Sequence, residues 1–561
     1  MGPMNNNSSI GNLLSPTPEP PQVEEAPTGV IAGRDVTVHD KNGPLLPGLP
    51  ELIHLKIIRC LSFREITQFA KVCRYFHDLV KNDKALERAW SRRFPSPQQY
   101  QLKTLFKTKD DHQLRAWLKP FANEDAIKSL IEQRKNVHFP AQLLFTNSKL
   151  MSLCEKFKLV EKTVITHDAK IIAATLSPDG RYLATASHDN TAKICGRGTD
   201  GLWELKDIIS HEESVDFANF SPDGRYLVTV SRDNTAKIHD LQDVGSLGVK
   251  ATINIIFGLW FSSATFSNDG RHLVVTSAND TVKIYGLKED DGSLEEKATI
   301  SHDVLVLRPT FSDDGRRVVT VNQNEVKIRS QGDDGSWRAE DIIHETVINE
   351  AKLSSDGRHL AICSAGLALK IYGQGDDGSW VKKITLQHQL TISSINFSAN
   401  SRHLVSTSLD CTAKICKLHD DGSWKEITRI DHDYGLYSAN FSADSRHLLI
   451  TGFVGGTAEI YGLQADGSWV KKAAIIHEDC IHGATFSPDS CLVATASLDS
   501  TAKIYGLWAD GTWVEKAVIR HESSVTSANF SADSRNVVTV THDNKARITE
   551  LKGKIDDPMD V

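Results

Sequence analysis

The chain has 561 residues, 40% hydrophobic and 24% charged, with a formal net charge of −8. That length exceeds one ordinary domain, and the composition excludes a fibrous or low-complexity protein. Residues 51–158 hold 21 Lys/Arg against 11 Asp/Glu, which leaves the rest acidic at −18 and argues against nucleic acid as the main ligand.

In chain order, residues 1–43 are rich in Pro, Asn, Ser and Glu. They hold too little apolar area to offset ordering entropy, which predicts a disordered leader. Segment 44–95 changes to helical spacing, with Ile53, Ile57 and Leu61 in one run and Ile66, Phe69, Val72, Phe76 and Leu79 in the next. Pro50 suits a first helical turn, and Ser62-Phe63-Arg64 separates two short helices. Residues 96–156 continue as amphipathic stretches punctuated by Pro97, Pro120 and Pro140, which predicts a helical linker.

From residue 157 to 551 the pattern switches to strands, ahead of a short tail at 552–561. One phrase, FSPDGRYLVTVSRDNTAKI in its fullest form, recurs nine times. Its serine falls at Ser177, Ser221, Ser267, Ser312, Ser354, Ser398, Ser442, Ser487 and Ser531, spaced 42 to 46 residues apart. That period is one four-stranded propeller blade, and such units bury their faces only by stacking around an axis. The expected fold class is multidomain, an all-α head and linker followed by an all-β propeller of nine repeats by count, with seven to nine blades left open. Within a unit, an outer strand opened by a Trp (Trp203, Trp337, Trp380, Trp424, Trp469, Trp513) is expected to be covered by that Trp. An inner, a middle and a third strand follow. Segment 157–167 mirrors 513–521, so strand 160–165 is expected to pair with 546–551 and close the ring. The apolar run at 251–266 stays in frame with the repeat and reads as blade core, not a membrane span.

Chemistry is sparse. The nine cysteines are scattered with no Cys-x-x-Cys pair, which predicts reduced thiols in a cytoplasmic or nuclear protein. No basic, apolar signal heads the chain. No metal, cofactor, membrane or nucleic-acid signature is present. A His ten residues before the repeat serine, with Ser and Asp ten and twelve after it, forms the sets His167/Ser187/Asp189, His211/Ser231/Asp233, His388/Ser408/Asp410 and His477/Ser497/Asp499. The last copy is His521/Thr541/Asp543. Five catalytic triads in one ring make no sense for a hydrolase, whereas one bond per blade does. A buried His–Ser–Asp chain fastening each blade is therefore expected. Phe257 replaces the His in the third copy, and Gly366 and Val454 replace the Asp in the fifth and seventh. The lysines at 193, 237, 283, 327, 370, 414 and 503, with Arg547, mark either a ring that binds an acidic or phosphorylated ligand or, the preferred reading, a solvated or inter-blade face. The Asp-Asp-Gly-Ser steps read as turns, not calcium loops.

These repeats resemble the WD-repeat family, although Ile-Tyr-Gly (284–286, 504–506) replaces the closing Trp-Asp. The segment Leu49-Pro50-Glu51, Ile53, Ile57, Leu61, Glu65-Ile66, Val72-Cys73-Arg74 and Phe76 resembles the F-box. Leu52 stands at a usually acidic position there, and Phe76 where Trp is common. The F-box resemblance implies docking on the Skp-type adaptor of a cullin–RING ubiquitin ligase through Leu49, Pro50, Ile53, Ile57, Leu61, Ile66, Val72 and Phe76. Together the two imply a non-catalytic substrate-recognition subunit whose propeller holds a protein target. The alternative is a WD-repeat scaffold, including a microbial effector acting in the host cytosol.

Overall fold

The computed structural model describes residues 156–553, apart from 199–201, 242–248, 255–262, 278–280, 289–292, 304–305, 307–308, 376 and 509–510. The leader, the predicted helical head and the linker lie outside the described residues. Among those described, thirty-six strands form nine antiparallel four-stranded sheets, so every repeat is a blade. Blade 8 is typical. From inside outward its strands are Ile481–Phe486, Leu492–Ser497, Thr501–Leu507 and Trp513–Arg520 (a, b, c and d below).

Burial follows from stacking. Strand b is covered on both faces by neighbouring blades and is buried along its whole length in Leu492–Ser497. Strand d has one free edge and reads mostly exposed, as in Trp380–Gln387. Its lysines, Lys382 and Lys383, discourage strand addition there. A bulge at Lys383 of strand d, opposite Ile371 and Tyr372 of strand c, lets its side chain cross the blade, and a Cβ at Gly373 would fall 2.9 Å from its Cε. The Gly of Ile-Tyr-Gly is therefore needed for a lysine stem to pass.

Ring closure is made by Phe157–Thr166, which pairs with Lys545–Gly553 as strand d of blade 9. The sequence predicts this pairing of 160–165 with 546–551, and the register sets Val160 opposite Glu550 and Ile165 opposite Ala546. The final strand runs two residues beyond the expected end at 551.

The blade tryptophans do not simply cover their own outer strand. Trp337, Trp380, Trp424, Trp469 and Trp513 are buried. Trp337 meets His272 of the preceding blade edge-on at 5.3 Å and Phe311 of its own blade at 6.4 Å. His359 and Phe397 hold Trp424 likewise, at 5.3 and 5.9 Å. An indole at the start of strand d points inward because the bulged strand leaves room at the blade boundary, where more apolar area is removed from water.

At the opposite end from the histidines, each repeat serine closes the a–b turn. Ser487 donates to Asp489 at 2.5 Å and accepts from the Leu492 amide at 2.8 Å. Later blades carry Ser instead of Gly at the left-handed position of this turn: Ser401, Ser445 and Ser490, with φ of 57°, 59° and 63°. Their hydroxyls accept the amides of Asp356, Asn400 and Asp444 in the preceding blade at 3.0–3.1 Å. The strain of about 1 kcal/mol is thus offset by an inter-blade clasp.

Blade 4 places Asp313 in the same layer of turns. Burial pushes its carboxyl up to about 6, with Asp314 and Asp356 adding repulsion, while the Asn268 amide donates to it at 3.1 Å. A raised folded-state value means its contribution is whole below the unfolded value near 3.9 and is lost as pH rises through 6. Asp313→Asn, which keeps the acceptor, should therefore stabilise the propeller by about 1–3 kcal/mol at pH 7.5. The gain should vanish near pH 4 in paired thermal melts.

Candidate functional site

The eight predicted adaptor-binding residues, Leu49 to Phe76, lie outside the described residues. The predicted blade-tether residues all lie among the described residues. In blade 1, His167 donates from Nδ1 to Asp189 at 2.7 Å, and its Nε2 meets the Thr185 hydroxyl at 2.8 Å. The same set recurs as His211 with Asp233 and Thr229 (2.9 and 3.0 Å). It recurs again as His388 with Asp410 and Ser406 (3.1 and 2.9 Å), and as His477 with Asp499 and Thr495 (2.8 Å each). The partner is the hydroxyl two residues before the predicted serine, because that residue lies on the same face of strand b and deeper beneath the ring.

The predicted serines have another task. Ser187 donates to the Ala169 carbonyl at 3.0 Å and accepts the Asp189 amide at 3.1 Å. Ser231, Ser408 and Ser497 likewise bond the carbonyls of Glu213, Leu390 and Asp479. Each fastens the b–c turn to the loop entering strand a. The expected His–Ser–Asp chain is thus a Thr–His–Asp chain (Ser406 replacing Thr in blade 6) with the predicted serine beside it, and none of these four predicted serines touches its histidine as a nucleophile would.

Burial holds His167, His211, His388 and His477 below the usual imidazole range despite their carboxylate partners, so each ring is neutral. Burial alone would raise Asp189, Asp410 and Asp499, but the bonds each accepts outweigh it and hold all three down at about 2.

Divergent copies are repaired by substitution. In blade 4, Glu325 replaces the Asp and meets His302 at 3.0 Å, with Thr320 on the other ring nitrogen at 2.8 Å. Blade 5, with Gly366 at the Asp slot, uses Glu345 bonded to Lys370 and to the Tyr372 hydroxyl. In blade 7, with Val454 there, His432 lies 3.5 Å from Glu459. Phe257 lies outside the described residues.

Blade 9 is the exception. Lys545 stands where Thr191, Thr412 and Thr501 stand elsewhere, and its ammonium takes Asp543 at 2.7 Å. Thr541 also donates to Asp543. Both His521 nitrogens and the Thr539 hydroxyl are then buried without a hydrogen bond, and burial drives His521 down to about 4. Lys545→Thr should free Asp543 for His521 and stabilise the propeller by about 1–2 kcal/mol, read as a higher melting temperature.

The lysines of strand c cap the preceding blade. Lys193, Lys237, Lys327 and Lys414 donate to the carbonyls of Thr166, Ser210, Ser301 and Gln387 at 2.6–2.8 Å. Lys283 and Arg547 instead meet Glu296 and Glu161. The first four form an inter-blade seam, the last two pair within their own blades, and these six are held by partners in the propeller instead of standing as a free ring aimed at an anion. The Asp-Gly-Ser steps are side-chain-capped turns, Ser423 bonding Asp421 through amide and hydroxyl at 2.9 and 2.6 Å. Among the described residues, no group of His, Cys, Asp and Glu is placed to hold a metal ion.

Every tether therefore lies inside the scaffold, and what they hold in place is a face. The loops entering strand a and the b–c turns stand together at the histidine end. In blade 2 that end carries a shallow depression lined by Glu212, Glu213, Arg232, Asp233 and Asn234. The positions of Glu212, Glu213 and Arg232 differ from blade to blade, while Asp233 belongs to the repeated tether beneath them, the pattern of a binding surface on a constant frame.

The F-box domain family matches residues 46–88, a span that contains all eight predicted adaptor-binding residues. The family described as WD domain, G-beta repeat, matches residues 159–195, 203–240, 380–417, 472–506 and 514–549. Each match begins on one blade's strand d and ends on the next blade's strand c, so the sequence repeat is offset from the structural one. The crystal structure of the C-terminal WD40 domain of Sif2 is similar at 14% identity, with a TM-score of 0.48, over 72% of this chain and 100% of that one. No curated protein matches the chain. With an F-box domain and WD repeats closed into nine four-stranded blades, the chain is an F-box/WD-repeat protein.

Proposed function

We propose that this protein is the substrate-recognition subunit of a Skp–cullin–F-box ubiquitin ligase. One observation carries the reading: a single chain joins an F-box domain to a closed propeller whose loop face varies over a repeated frame. In this reading the F-box (44–95) docks the Skp-type adaptor, residues 96–156 set the spacing, and the propeller presents a protein target to the cullin–RING enzyme. The chain performs no bond chemistry of its own. Action in the cytoplasm suits its cysteines, of which the six among the described residues are free thiols.

Adaptor docking should rest on a few buried apolar anchors, because a module of this size cannot build a large core and lays one face into a groove instead. Placing two carboxylates in that face costs several kcal/mol of desolvation. In co-purification, Ile57→Asp with Leu61→Asp in the full chain should reduce adaptor capture at least ~100-fold and leave the propeller's melting temperature unchanged. Full capture by that variant removes the ligase assignment and leaves a WD-repeat scaffold.

A further inference from the structure

The histidine-end face is not uniform. Blades 1, 2 and 9 carry charged or polar residues at its corners, such as Asp168 and His188, Glu213 and Arg232, and Glu522 and His542. At the corresponding places blades 6 and 7 carry large apolar side chains, and these are open to solvent: Leu390 (52% exposed), Leu409 (38%), Tyr434 (54%), Tyr437 (49%), Phe453 (57%) and Val454 (53%).

They form one patch. The Tyr437 and Phe453 rings lie 6.2 Å apart. The Phe453 amide bonds the Gly435 carbonyl at 2.7 Å, bringing the b–c turn of blade 7 against its entry loop. Leu409 of blade 6 lies against Gly435, where a Cβ would come within 3.3 Å of its backbone. The Tyr434 ring rests over Gly455, at 3.3 Å from where a Cβ would stand. Blade 7 has given up the Asp of its tether at Val454, so its turn departs from the frame where the aromatic residues stand.

Charge decides what the patch fits. Asp433, Glu478 and Asp479 border it on the blade 7 and blade 8 loops and are exposed, and none forms an ion pair. The neighbouring lysines are occupied: Lys414 by the Gln387 carbonyl at 2.8 Å, Lys503 by the Ile476 carbonyl at 2.5 Å, and Lys471 by the Glu459 carboxylate. An aromatic patch bounded by unpaired carboxylates attracts a cationic chain and repels a phosphate.

We infer that the propeller captures its target through an unmodified peptide segment with an aromatic or branched apolar residue flanked by Lys or Arg, the apolar side chain packing among Tyr434, Tyr437 and Phe453 and the basic flank facing Asp433, Glu478 and Asp479. This deepens the ligase reading by naming the chemistry of the target, and rests on that reading only for the fate of the target once captured.

The test uses the full chain and an array of short synthetic peptides with a central Phe or Leu flanked by Lys/Arg, by Glu or by phosphoserine. The basic set should bind best, with phosphoserine flanks weakening it at least ~10-fold. Phe453→Asp, and separately Tyr434→Ser, should each cost at least ~10-fold in binding, and Glu478→Lys with Asp479→Lys should abolish the preference for basic flanks. Both apolar sites are exposed, so melting temperatures should not move. Asp333→Ala, on an exposed turn at the opposite end of blade 4, should bind as the parent does. Preference for the phosphoserine or Glu set, absence of binding by every set, or undiminished binding by Phe453→Asp each overturns the inference. Adaptor capture by the same variants separates the two readings: capture lost with peptide binding intact strikes the ligase assignment alone.

Discussion

Starting the chain at His167 instead of Lys156 should destabilise the propeller by about 3–6 kcal/mol, and a synthetic peptide of residues 157–166 should return most of it. The strand it removes places Phe157 and Ile165 in the core, 7% and 4% exposed. Each is worth about 1.5–3 kcal/mol of apolar burial. Its loss also uncovers the edge of Lys545–Gly553, where Leu551 and Ile548 are buried. Phe157 and Leu551 pack with core residues of blade 8, Leu492 and Ile504 among them, while Ile165 and Ile548 pack with Ile171 and Leu183 of blade 1. One missing strand therefore loosens both neighbours of the seam. Urea melts and light scattering of the two chains, with and without peptide, measure the effect. Equal midpoints would show that the ring does not depend on its closing strand.

Asp499→Ala should cost about 3–5 kcal/mol, more than Ser497→Ala at about 1–3 kcal/mol. The carboxylate accepts four bonds: from His477 at 2.8 Å, the Glu478 amide at 3.1 Å, and the Thr501 amide and hydroxyl at 2.9 and 2.6 Å. Removing it takes the acceptor from both amides and leaves His477 Nδ1 only the Thr501 hydroxyl at 3.1 Å, whereas Ser497 bridges only two backbone groups. The effect is pH-dependent. A carboxyl held at about 2 in the folded state against about 3.9 unfolded contributes stability that is complete above pH ~4 and lost as pH falls toward 2. Asp189 and Asp410 share that window, so the parent should unfold in acid between about pH 4 and 2. Asp499→Ala should show a shallower acid slope in melts taken across that range. An unchanged slope would refute the tether's electrostatic role.

Much of the propeller was legible in the sequence because a repeat with alternating apolar residues fixes strand, turn and register together. The closing pair of strands, 160–165 beside 546–551, follows from the match of 157–167 to 513–521. The tether was legible only in part. His and Asp were found by spacing, but Thr185 hides among the β-branched residues that any strand favours, and only depth beneath the ring distinguishes it from Ser187. A spacing rule that admits Ser or Thr eight residues after the repeat serine would have found it. The compensations at Glu325 and Glu345 were illegible for another reason: each restores an interaction in space after a change in register, so a fixed spacing passes over it. The tryptophans were misread because alternation assigns a face of the sheet and says nothing of a bulge that turns an indole into the seam.

The seam joins residues far apart along the chain, Glu161 and Arg547 being 386 positions from one another. At about 5–20 residues per second of synthesis, the opening strand waits on the ribosome for roughly 20–80 s before its partner exists. Throughout that interval its apolar side chains stand uncovered, a demand on chaperones that a sealed ring no longer makes. An interrupted message would yield an F-box domain carrying an open, aggregation-prone fan of blades, so translational fidelity through the last blade matters more for this architecture than its local stability suggests.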